Sequence, residues 1–195
     1  MQVEMQDAEV YYLPNHLPAA LASEYFDNLR NTLAWQQPSI TLYGKTHKIP
    51  RLQAWYGDAD AHYAYSNMPM QPMPWTKSLL ELKHICETQI KQEFNSVLVN
   101  YYRHGQDSMG MHADDEPELG EQPIIASLSL GGARNFDFKH KQSAEKVRIR
   151  LQHGSLLVMQ GDTQHYWQHG INKSKRDMQA RINLTFRKVY NQSPQ

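Results

Sequence analysis

The spacing of apolar residues changes character about half-way along the chain. In the first half, Pro18–Leu33 and Trp75–Phe94 carry apolar side chains at intervals close to the helical repeat, which predicts two helices. Between them, Ile40–Arg51 alternates apolar and polar residues around a turn at Gly44-Lys45, which predicts a hairpin. The stretch Gln53–Met73 is rich in aromatic residues, methionine and proline, and it predicts irregular structure.

From Ser96 onwards, short β-rich segments alternate with turn residues. The predicted strands are Val97–Tyr102, Ile124–Leu130, Asn135–His140, Lys146–Gln152, Ser155–Gln160 and Ala180–Val189. Several short strands at regular spacing are typical of a sandwich or barrel, and a jelly roll is the version we expect. The predicted fold is therefore mostly β: a double-stranded β-helix (jelly-roll) core under an N-terminal α/β layer. We expect a single catalytic domain over residues 1–195, with the layer at about 12–96 and the core at about 97–190.

Composition places the chain among soluble globular proteins and leaves its partner open. It has 195 residues, of which 40% are hydrophobic and 21% charged. Lys+Arg and Asp+Glu are both 20, so a nucleic-acid partner would have to be held by local patches. No apolar run approaches the roughly 20 residues that span a bilayer, and the first residues are polar and acidic, so we expect no membrane segment and no secretory signal. The single cysteine, Cys86, excludes an intrachain disulfide and fits a reducing, intracellular setting.

His112 and Asp114 are separated by one residue, a spacing that suits metal binding. Alternate residues of a strand point to the same face, so both side chains can converge on one ion. A third ligand from a distant strand would complete the triad of non-haem iron(II) oxygenases, which leaves coordination positions for a cosubstrate and oxygen. His169 is the preferred third ligand because it comes shortly before the last strand, and His165 is its nearest competitor. With ten histidines in the chain, His-x-Asp alone also fits an ordinary surface pair.

The last predicted strand carries two arginines on one face. In Arg181-Ile-Asn-Leu-Thr-Phe-Arg187, polar residues alternate with apolar ones. One interpretation is an edge strand with a solvated basic face. Arginines that face into a barrel would instead need anionic partners, because unpaired buried charge is costly. A dicarboxylate such as 2-oxoglutarate would supply both partners through bidentate pairs, and Asn100 and Tyr102 on the first core strand could reach the same pocket.

Two stretches of the chain together resemble the signature of the AlkB dioxygenases. The first contains Asn100-Tyr-Tyr102, Gly105, Asp107, Gly110 and His112-Ala-Asp114-Asp115-Glu116, and the second is Arg181-Ile-Asn-Leu-Thr-Phe-Arg187. His169-Gly-Ile lies at the spacing of the family's distal iron ligand. The resemblance covers roughly residues 12–190 and is closest to the AlkB homologues two and three of animals.

The resemblance implies a role for each matching position. It implies iron(II) ligands at His112, Asp114 and His169, which would also be the catalytic residues. Arg187 would pair with the 1-carboxylate of 2-oxoglutarate and Arg181 with the 5-carboxylate. Hydrogen bonds to this cosubstrate would come from Asn100, Tyr102 and Asn183. The remaining cosubstrate is O2.

The resemblance also implies how a substrate base would be held. The stretch Tyr63-Ala-Tyr65 would stack the flipped base against the ring of His112, although two tyrosines at this spacing also fit a half-buried strand. Asp115 and Glu116 would line the base pocket. Leu42-Tyr43-Gly44 would be a hairpin tip that wedges into a duplex, although an exposed aromatic residue is an ordinary feature of a turn.

Basic stretches indicate where phosphates would bind. The densest contains Lys139, Lys141, Lys146, Arg148 and Arg150, and a second contains Lys45 and Arg51. Such stretches are also common on solvated faces.

The expected function is oxidative dealkylation of N-alkylated bases, such as 1-methyladenine and 3-methylcytosine. The substrate would be DNA under repair, with RNA as an open possibility. We expect a monomer without a membrane partner, cytoplasmic in a bacterium or nuclear in a eukaryote. The sequence leaves three alternatives: a 2-oxoglutarate oxygenase acting on proteins or small molecules, a non-catalytic nucleic-acid-binding module of the same fold, and a metal-storage or sensor protein of cupin type.

Overall fold

The structure is a computed structural model that describes residues 1–42, 44–61, 63–65 and 68–190. For residues 42, 63–65 and 68–70 it describes the backbone alone. The strands in chain order are β1 Gln2–Val3, β2 Glu9–Leu13, β3 Ser39–Leu42, β4 Lys45–Lys48, β5 Leu52–Gly57, β6 Tyr63–Tyr65, β7 Met68–Met70, β8 Ser96–Tyr102, β9 Met109–His112, β10 Ile125–Gly131, β11 Arg134–His140, β12 Lys146–Leu151, β13 Ser155–Gln160, β14 Trp167–Ile171 and β15 Arg181–Arg187. The helices are α1 Ala19–Thr32, α2 Lys77–Ile90 and the short α3 Thr163–Tyr166, with a 3-10 turn at Pro117–Leu119.

Two antiparallel sheets form the core. The larger has seven strands in the order β1-β2-β13-β10-β15-β8-β5, and the smaller has four in the order β12-β11-β14-β9. The sheets pack face to face through buried apolar side chains of both, among them Ile125 and Met159 from the larger and Phe138 and Trp167 from the smaller. This arrangement is a jelly roll, and β15 lies in the interior of its larger sheet.

The outer face of the larger sheet is covered by α1 and α2. Leu29 of α1 and Leu82 of α2 are buried in one apolar cluster with Leu184 of β15. The hydroxyl of Thr76 caps the start of α2 by accepting the Leu79 N–H at 3.3 Å. Lys91 ends that helix in the left-handed region, with φ of 62°. Because helices cover one face and the smaller sheet covers the other, every residue of β15 is buried.

Most predicted elements are confirmed, with shifts of a few residues at their ends. Both helices, the hairpin around Gly44 and the predicted core strands are present. The prediction of irregular structure over Gln53–Met73 was wrong, because this stretch contains most of β5 and the short pair β6–β7. Five residues of β5 are buried, so the strand lacks the alternation of polar and apolar residues by which a half-buried strand is predicted.

The N-terminal part of the chain contributes strands as well as helices to the core. β2 pairs with β13 and β5 pairs with β8, so these two strands extend the larger sheet in both directions from its centre. Within the part of the chain that is described, no helix has the length and apolarity needed to cross a membrane.

Candidate metal centre and dicarboxylate pocket

Two neighbouring strands of the smaller sheet bring together the residues singled out for metal binding. β9 pairs with β14, and His112 is directly opposite His169. Asp114 follows β9 by two residues. One potential ligand atom from each of His112, Asp114 and His169 lies within 4.8 Å of the other two, and the described residues form no other such group. His165, the competing candidate, is exposed with its ring edge-on to Tyr166 at 4.7 Å, so it is not part of this group.

The backbone fixes which nitrogen of His112 faces the centre. Its Nδ1 lies 2.9 Å from the carbonyl oxygen of Gly110. A carbonyl oxygen only accepts, so Nδ1 carries a proton and Nε2 is the nitrogen left to face a metal ion. Nε2 of His112 is 3.9 Å from Oδ1 of Asp114, and Nε2 of His169 is 3.8 Å from Oδ2 of the same carboxylate. The two imidazoles thus flank one carboxylate from different sides.

Asp114 is ionised although it is buried. Burial by itself would raise its pKa, but the Arg187 guanidinium and the imidazoles of His169 and His112 outweigh this and lower the pKa to about 2. Nη2 of Arg187 donates to Oδ1 of Asp114 at 2.8 Å. The site therefore presents a carboxylate at every physiological pH.

His169 is neutral because, unlike for Asp114, the effect of burial prevails. Desolvation, helped by the neighbouring His112, lowers its pKa to about 3, even though Asp114 opposes the shift. The ring stacks on Phe136 with centroids 5.2 Å apart. A neutral imidazole is the form that binds a metal ion.

The donor set fits iron(II). Two imidazoles and one carboxylate on one side of a centre are the ligands of non-haem iron(II) oxygenases. Oδ2 of Asp114 is buried and has no hydrogen-bond partner among the described residues. A buried acceptor without a partner costs about 1–3 kcal/mol, and a cation held between Asp114 and the imidazoles would remove that cost.

A narrow pocket next to the triad is lined by the polar face of β15. Its other walls come from β8, β10 and the smaller sheet, and the predicted residues that line it are Asn100, Tyr102, His112, Asp114, His169, Asn183 and Arg187. Asn183 is opposite Asn100 in the pairing of β15 with β8. Its amide donates to the hydroxyl of Ser127 at 2.8 Å, and its carbonyl accepts from the Thr185 hydroxyl at 3.1 Å. These bonds fix the orientation of the Asn183 amide.

Arg181 is a buried cation with unused donors. It is 1% exposed, and its Nη2 donates to the Ser129 hydroxyl at 2.9 Å. Its Nε and Nη1 have no hydrogen-bond partner within the described part of the chain. Burial lowers the pKa of Arg181 to about 10, with Arg134 adding to the effect and Tyr102 opposing it. A buried guanidinium with free donors suits a carboxylate, and the interpretation of this strand as a solvated edge is wrong because β15 is interior.

The residues predicted to hold the base are only partly described. Asp115 is exposed and pairs with Lys141, whose Nζ donates to Oδ2 of Asp115 at 3.1 Å. Lys141 was predicted to contact phosphate, and the structure gives it this carboxylate partner. Glu116 is half-buried next to it. Tyr43 and the side chains of Leu42, Tyr63 and Tyr65 lie outside the described residues.

Arg51 corrects one prediction. The sequence placed it in a basic stretch that meets phosphate, but its side chain is 4% exposed. Its Nε donates to Oδ1 of Asn100 at 2.8 Å and its Nη1 to the carbonyl of Ser108 at 3.3 Å. The residue enters β5 next to β8, which turns its side chain into the protein. Arg51 therefore supports the wall of the pocket through Asn100, and its charge does not face solvent.

Sequence reasoning missed two buried polar residues near the site. Gln164, 2% exposed, accepts the Asp114 N–H. Arg134, also 2% exposed, donates to the carbonyls of Asp107 and Asn172 at 2.9 Å and lies 5.7 Å from the ring of Tyr102. Both bind main-chain atoms of distant segments, and no motif spacing reports such contacts.

Comparison with known proteins agrees with this geometry. The family model described as the 2OG-Fe(II) oxygenase superfamily matches residues 9–187. The alpha-ketoglutarate-dependent dioxygenase alkB homolog 3 of Bos taurus is 41% identical over 193 residues, which cover 94% of this chain and 67% of the relative. The DNA oxidative demethylase ALKBH2 of Mus musculus is 43% identical over 159 residues, which cover 77% of this chain and 66% of the relative.

The chain belongs to the AlkB family of 2OG-Fe(II) oxygenases. This AlkB-type protein is an enzyme, a dioxygenase that depends on iron(II), 2-oxoglutarate and O2. It spans about two thirds of the length of the relatives named above. The solved structure of OsALKBH1 shares its fold, with a TM-score of 0.68 and 18% identity over 96% of this chain and 100% of the other.

Proposed function

We propose that this AlkB-type dioxygenase removes alkyl groups oxidatively from N-alkylated bases of nucleic acid, and that its role is DNA repair. Suitable lesions are 1-methyladenine and 3-methylcytosine. The proposal is supported by about 40% identity to proteins named as an alkB homologue and as a DNA oxidative demethylase. We further propose that residues 1–195 act as one catalytic domain, as a monomer inside the cell, in the cytoplasm of a bacterium or the nucleus of a eukaryote.

The observation that carries the proposal is a carboxylate between two imidazoles next to a guanidinium-lined pocket. His112, Asp114 and His169 would hold iron(II), since their ligand atoms already lie within 4.8 Å of one another. When bound, iron(II) with 2-oxoglutarate and O2 supplies the oxidation that hydroxylates the N-alkyl carbon, after which the aldehyde leaves and the base is restored.

The chain's own residues bind and orient the cosubstrate. Arg181 would take the 5-carboxylate of 2-oxoglutarate with its two unused donors. Arg187, which holds Asp114, would take the 1-carboxylate from the same buried position. Asn183 presents a fixed amide between the two arginines, and Asn100 and Tyr102 line the facing wall of the pocket.

A base must leave the helical stack to reach this centre. A lesion that pairs poorly leaves most easily, since extrusion costs a few kcal/mol. A cavity of about 610 Å³, lined by Asp115, Gln164 and His165 among others, opens beside the segment that follows the metal centre. Asp115 and Glu116 would line the base pocket. Tyr63 and Tyr65 would stack the base, and Leu42-Tyr43 would wedge into a duplex. Exposed basic residues of the smaller sheet would meet phosphates: Lys139, Lys146, Arg148 and Arg150.

A lesion-panel assay tests the proposal. The protein, iron(II) and 2-oxoglutarate are incubated with single- and double-stranded DNA and with RNA, each carrying 1-methyladenine or 3-methylcytosine. We expect formaldehyde, succinate and loss of the methyl mass, and none of these with Asp114→Ala. Succinate formed equally with and without every oligonucleotide, while the methyl mass persists, would redirect the search to protein or small-molecule substrates.

A further inference from the structure

We propose that Gln164 is a positioning residue whose side-chain carbonyl fixes the main chain of Asp114, and so aims its carboxylate between the two imidazoles. The proposal rests on the role of Asp114 as an iron ligand given above. Gln164 belongs to no motif by which the site was predicted, and its side chain reaches the site from the short helix α3.

Asp114 needs such a partner because it lies beyond the strand that carries His112. β9 ends at His112, and the register of its pairing with β14 shifts just before that end. The N–H of Asp114 donates to Oε1 of Gln164 at 2.9 Å, in a position buried from solvent. This bond joins the centre to residues about fifty positions further along the chain.

The side chain of Gln164 is itself held in one orientation. Its Nε2 donates to Sδ of Met159 at 3.5 Å, so the amide presents its oxygen and not its nitrogen to Asp114. The helix beneath it is tied to the N-terminal strand β2. The hydroxyl of Thr163 donates to the carbonyl of Gln160 at 2.6 Å and accepts the N–H of Glu9 at 3.0 Å.

The helix α3 also helps to hold Asp115, the residue that follows Asp114. The main-chain carbonyl of Gln164 accepts from Nζ of Lys141 at 2.9 Å, and this ammonium also donates to Asp115 at 3.1 Å. Two consecutive aspartates are thus connected to Gln164, one directly and one through Lys141. Two points of attachment define the direction in which the 114–115 segment leaves the strand.

Loss of the Gln164 side-chain oxygen should weaken metal binding more than it affects any other property of the protein. Groups that orient a metal ligand without touching the metal typically contribute about 10–100-fold to metal affinity. The substitution Gln164→Met keeps the length of the side chain and removes the amide oxygen, leaving at most a weak sulfur acceptor. Gln164→Asn keeps a polar amide but withdraws it by one methylene, and it serves the test if the methionine variant does not fold. Gln160→Met is the matched control, because the Gln160 side chain donates to Glu9 at the exposed surface, away from the centre.

The test titrates metal-free protein with Mn(II) and with Co(II), without 2-oxoglutarate or nucleic acid. Folding of each variant is checked by circular dichroism. We expect both Gln164 variants to bind about 10- to 100-fold more weakly than wild type and to shift the visible absorption of bound Co(II), while Gln160→Met matches wild type.

The metal titration gives different results if Gln164 has no positioning role and if the protein has no iron site. If a folded Gln164 variant binds both metals as tightly as wild type, with the same Co(II) spectrum, the positioning role is wrong and the iron site stands. If wild type itself binds no metal, or binds it equally well as Asp114→Ala, the iron site falls and the positioning role falls with it.

Discussion

Strand β15 and the hairpin β3–β4 stand at opposite ends of the molecule's range of burial. All seven residues of β15 are buried, and its polar side chains bond to Ser129, Ser127 and Asp114. All four residues of β4 are exposed. Under the proposed function, β15 would need its geometry before a small cosubstrate arrives, whereas the exposed hairpin would meet a macromolecule. Substitutions in the two regions should therefore differ in which ligand they affect.

The largest effect is expected from Asp114→Ala. It removes a proposed iron ligand and the carboxylate that Arg187 contacts, so turnover should be abolished. Breaking a buried ion pair from one side typically costs about 3–5 kcal/mol, so the metal-free protein should also lose stability on that scale. Turnover is followed by succinate release, and stability by urea unfolding.

The matched control is Asp115→Ala, the exposed neighbour that pairs with Lys141. It should leave the free energy of unfolding within about 0.5 kcal/mol of wild type. It should weaken metal binding far less than Asp114→Ala does, because Asp114 and its direct bond to Gln164 remain. Retained turnover in a folded Asp114→Ala protein would refute the ligand assignment.

Arg181→Met should separate cosubstrate binding from stability. Loss of one partner of a buried charge pair costs about 2–4 kcal/mol of binding, so the KM for 2-oxoglutarate should rise by about 30- to 1000-fold. The metal-free protein should be as stable as wild type or more so, because a buried cation with unused donors is replaced by an apolar side chain. Steady-state kinetics and urea unfolding give the two readouts.

The control for Arg181→Met is Arg150→Met, which changes an exposed arginine of β12. The KM of this variant for 2-oxoglutarate should not change. An unchanged KM in Arg181→Met would show that the dicarboxylate binds elsewhere.

The next effect is on the pH dependence of the metal-free protein. The pKa of His169 is about 3 in the folded chain against 6.5 for a free imidazole, so between these values the unfolded chain binds one more proton. The contribution of His169 to the free energy of unfolding is therefore fully present above the higher pKa. Between the two pKa values it is lost by about 1.4 kcal/mol for each unit by which the pH falls. Asp114, with its pKa lowered to about 2, adds to the loss only below its ordinary value of 3.8.

Urea unfolding at several pH values between the two pKa values of His169 measures this dependence. The variant His169→Phe, which cannot take up the proton, should show a shallower slope by about 1.4 kcal/mol per pH unit. Equal slopes in the two proteins would mean that His169 does not titrate as described.

The smallest effect is expected from Lys45→Ala in the hairpin. An exposed lysine contributes little to folding, so stability should stay within about 0.5 kcal/mol and the KM for 2-oxoglutarate should not move. If Lys45 meets a phosphate, the KM for a methylated oligonucleotide should rise and the salt dependence of binding should fall by about one phosphate contact. Lys77→Ala on α2, 91% exposed, is the control. A changed KM for 2-oxoglutarate in Lys45→Ala would show that the hairpin β3–β4 also affects the cosubstrate, contrary to the distinction drawn between it and β15.

The parts that sequence could predict are those with a short-range signal. Polar and apolar residues alternate along β15, and two arginines on the polar face indicate an anionic ligand if that face points into a barrel. The one-residue gap between His112 and Asp114 also indicated convergence, but the reason given was wrong. The strand ends at His112, and Asp114 reaches the centre from beyond it. β5 escaped prediction because a strand buried along most of its length shows no alternation.

The rest depends on contacts between distant segments. In the sequence, Arg51 is indistinguishable from an exposed surface arginine. Only the pairing of β5 with β8 turns its side chain towards Asn100. Gln164 reaches a main-chain N–H about fifty residues away, and a main-chain partner leaves no trace in residue type. His169 was preferred to His165 on its position before the last strand, but that it lies directly opposite His112 follows only from the register of β14 against β9.

The contact between Arg187 and Asp114 has a consequence for how the enzyme acquires its metal. A carboxylate that already has a guanidinium counter-ion does not require a cation to be tolerated in the interior, so the polypeptide can reach its native state first and load iron afterwards. A chelator should then strip the protein reversibly, leaving a folded apoenzyme that regains activity when ferrous salt is returned.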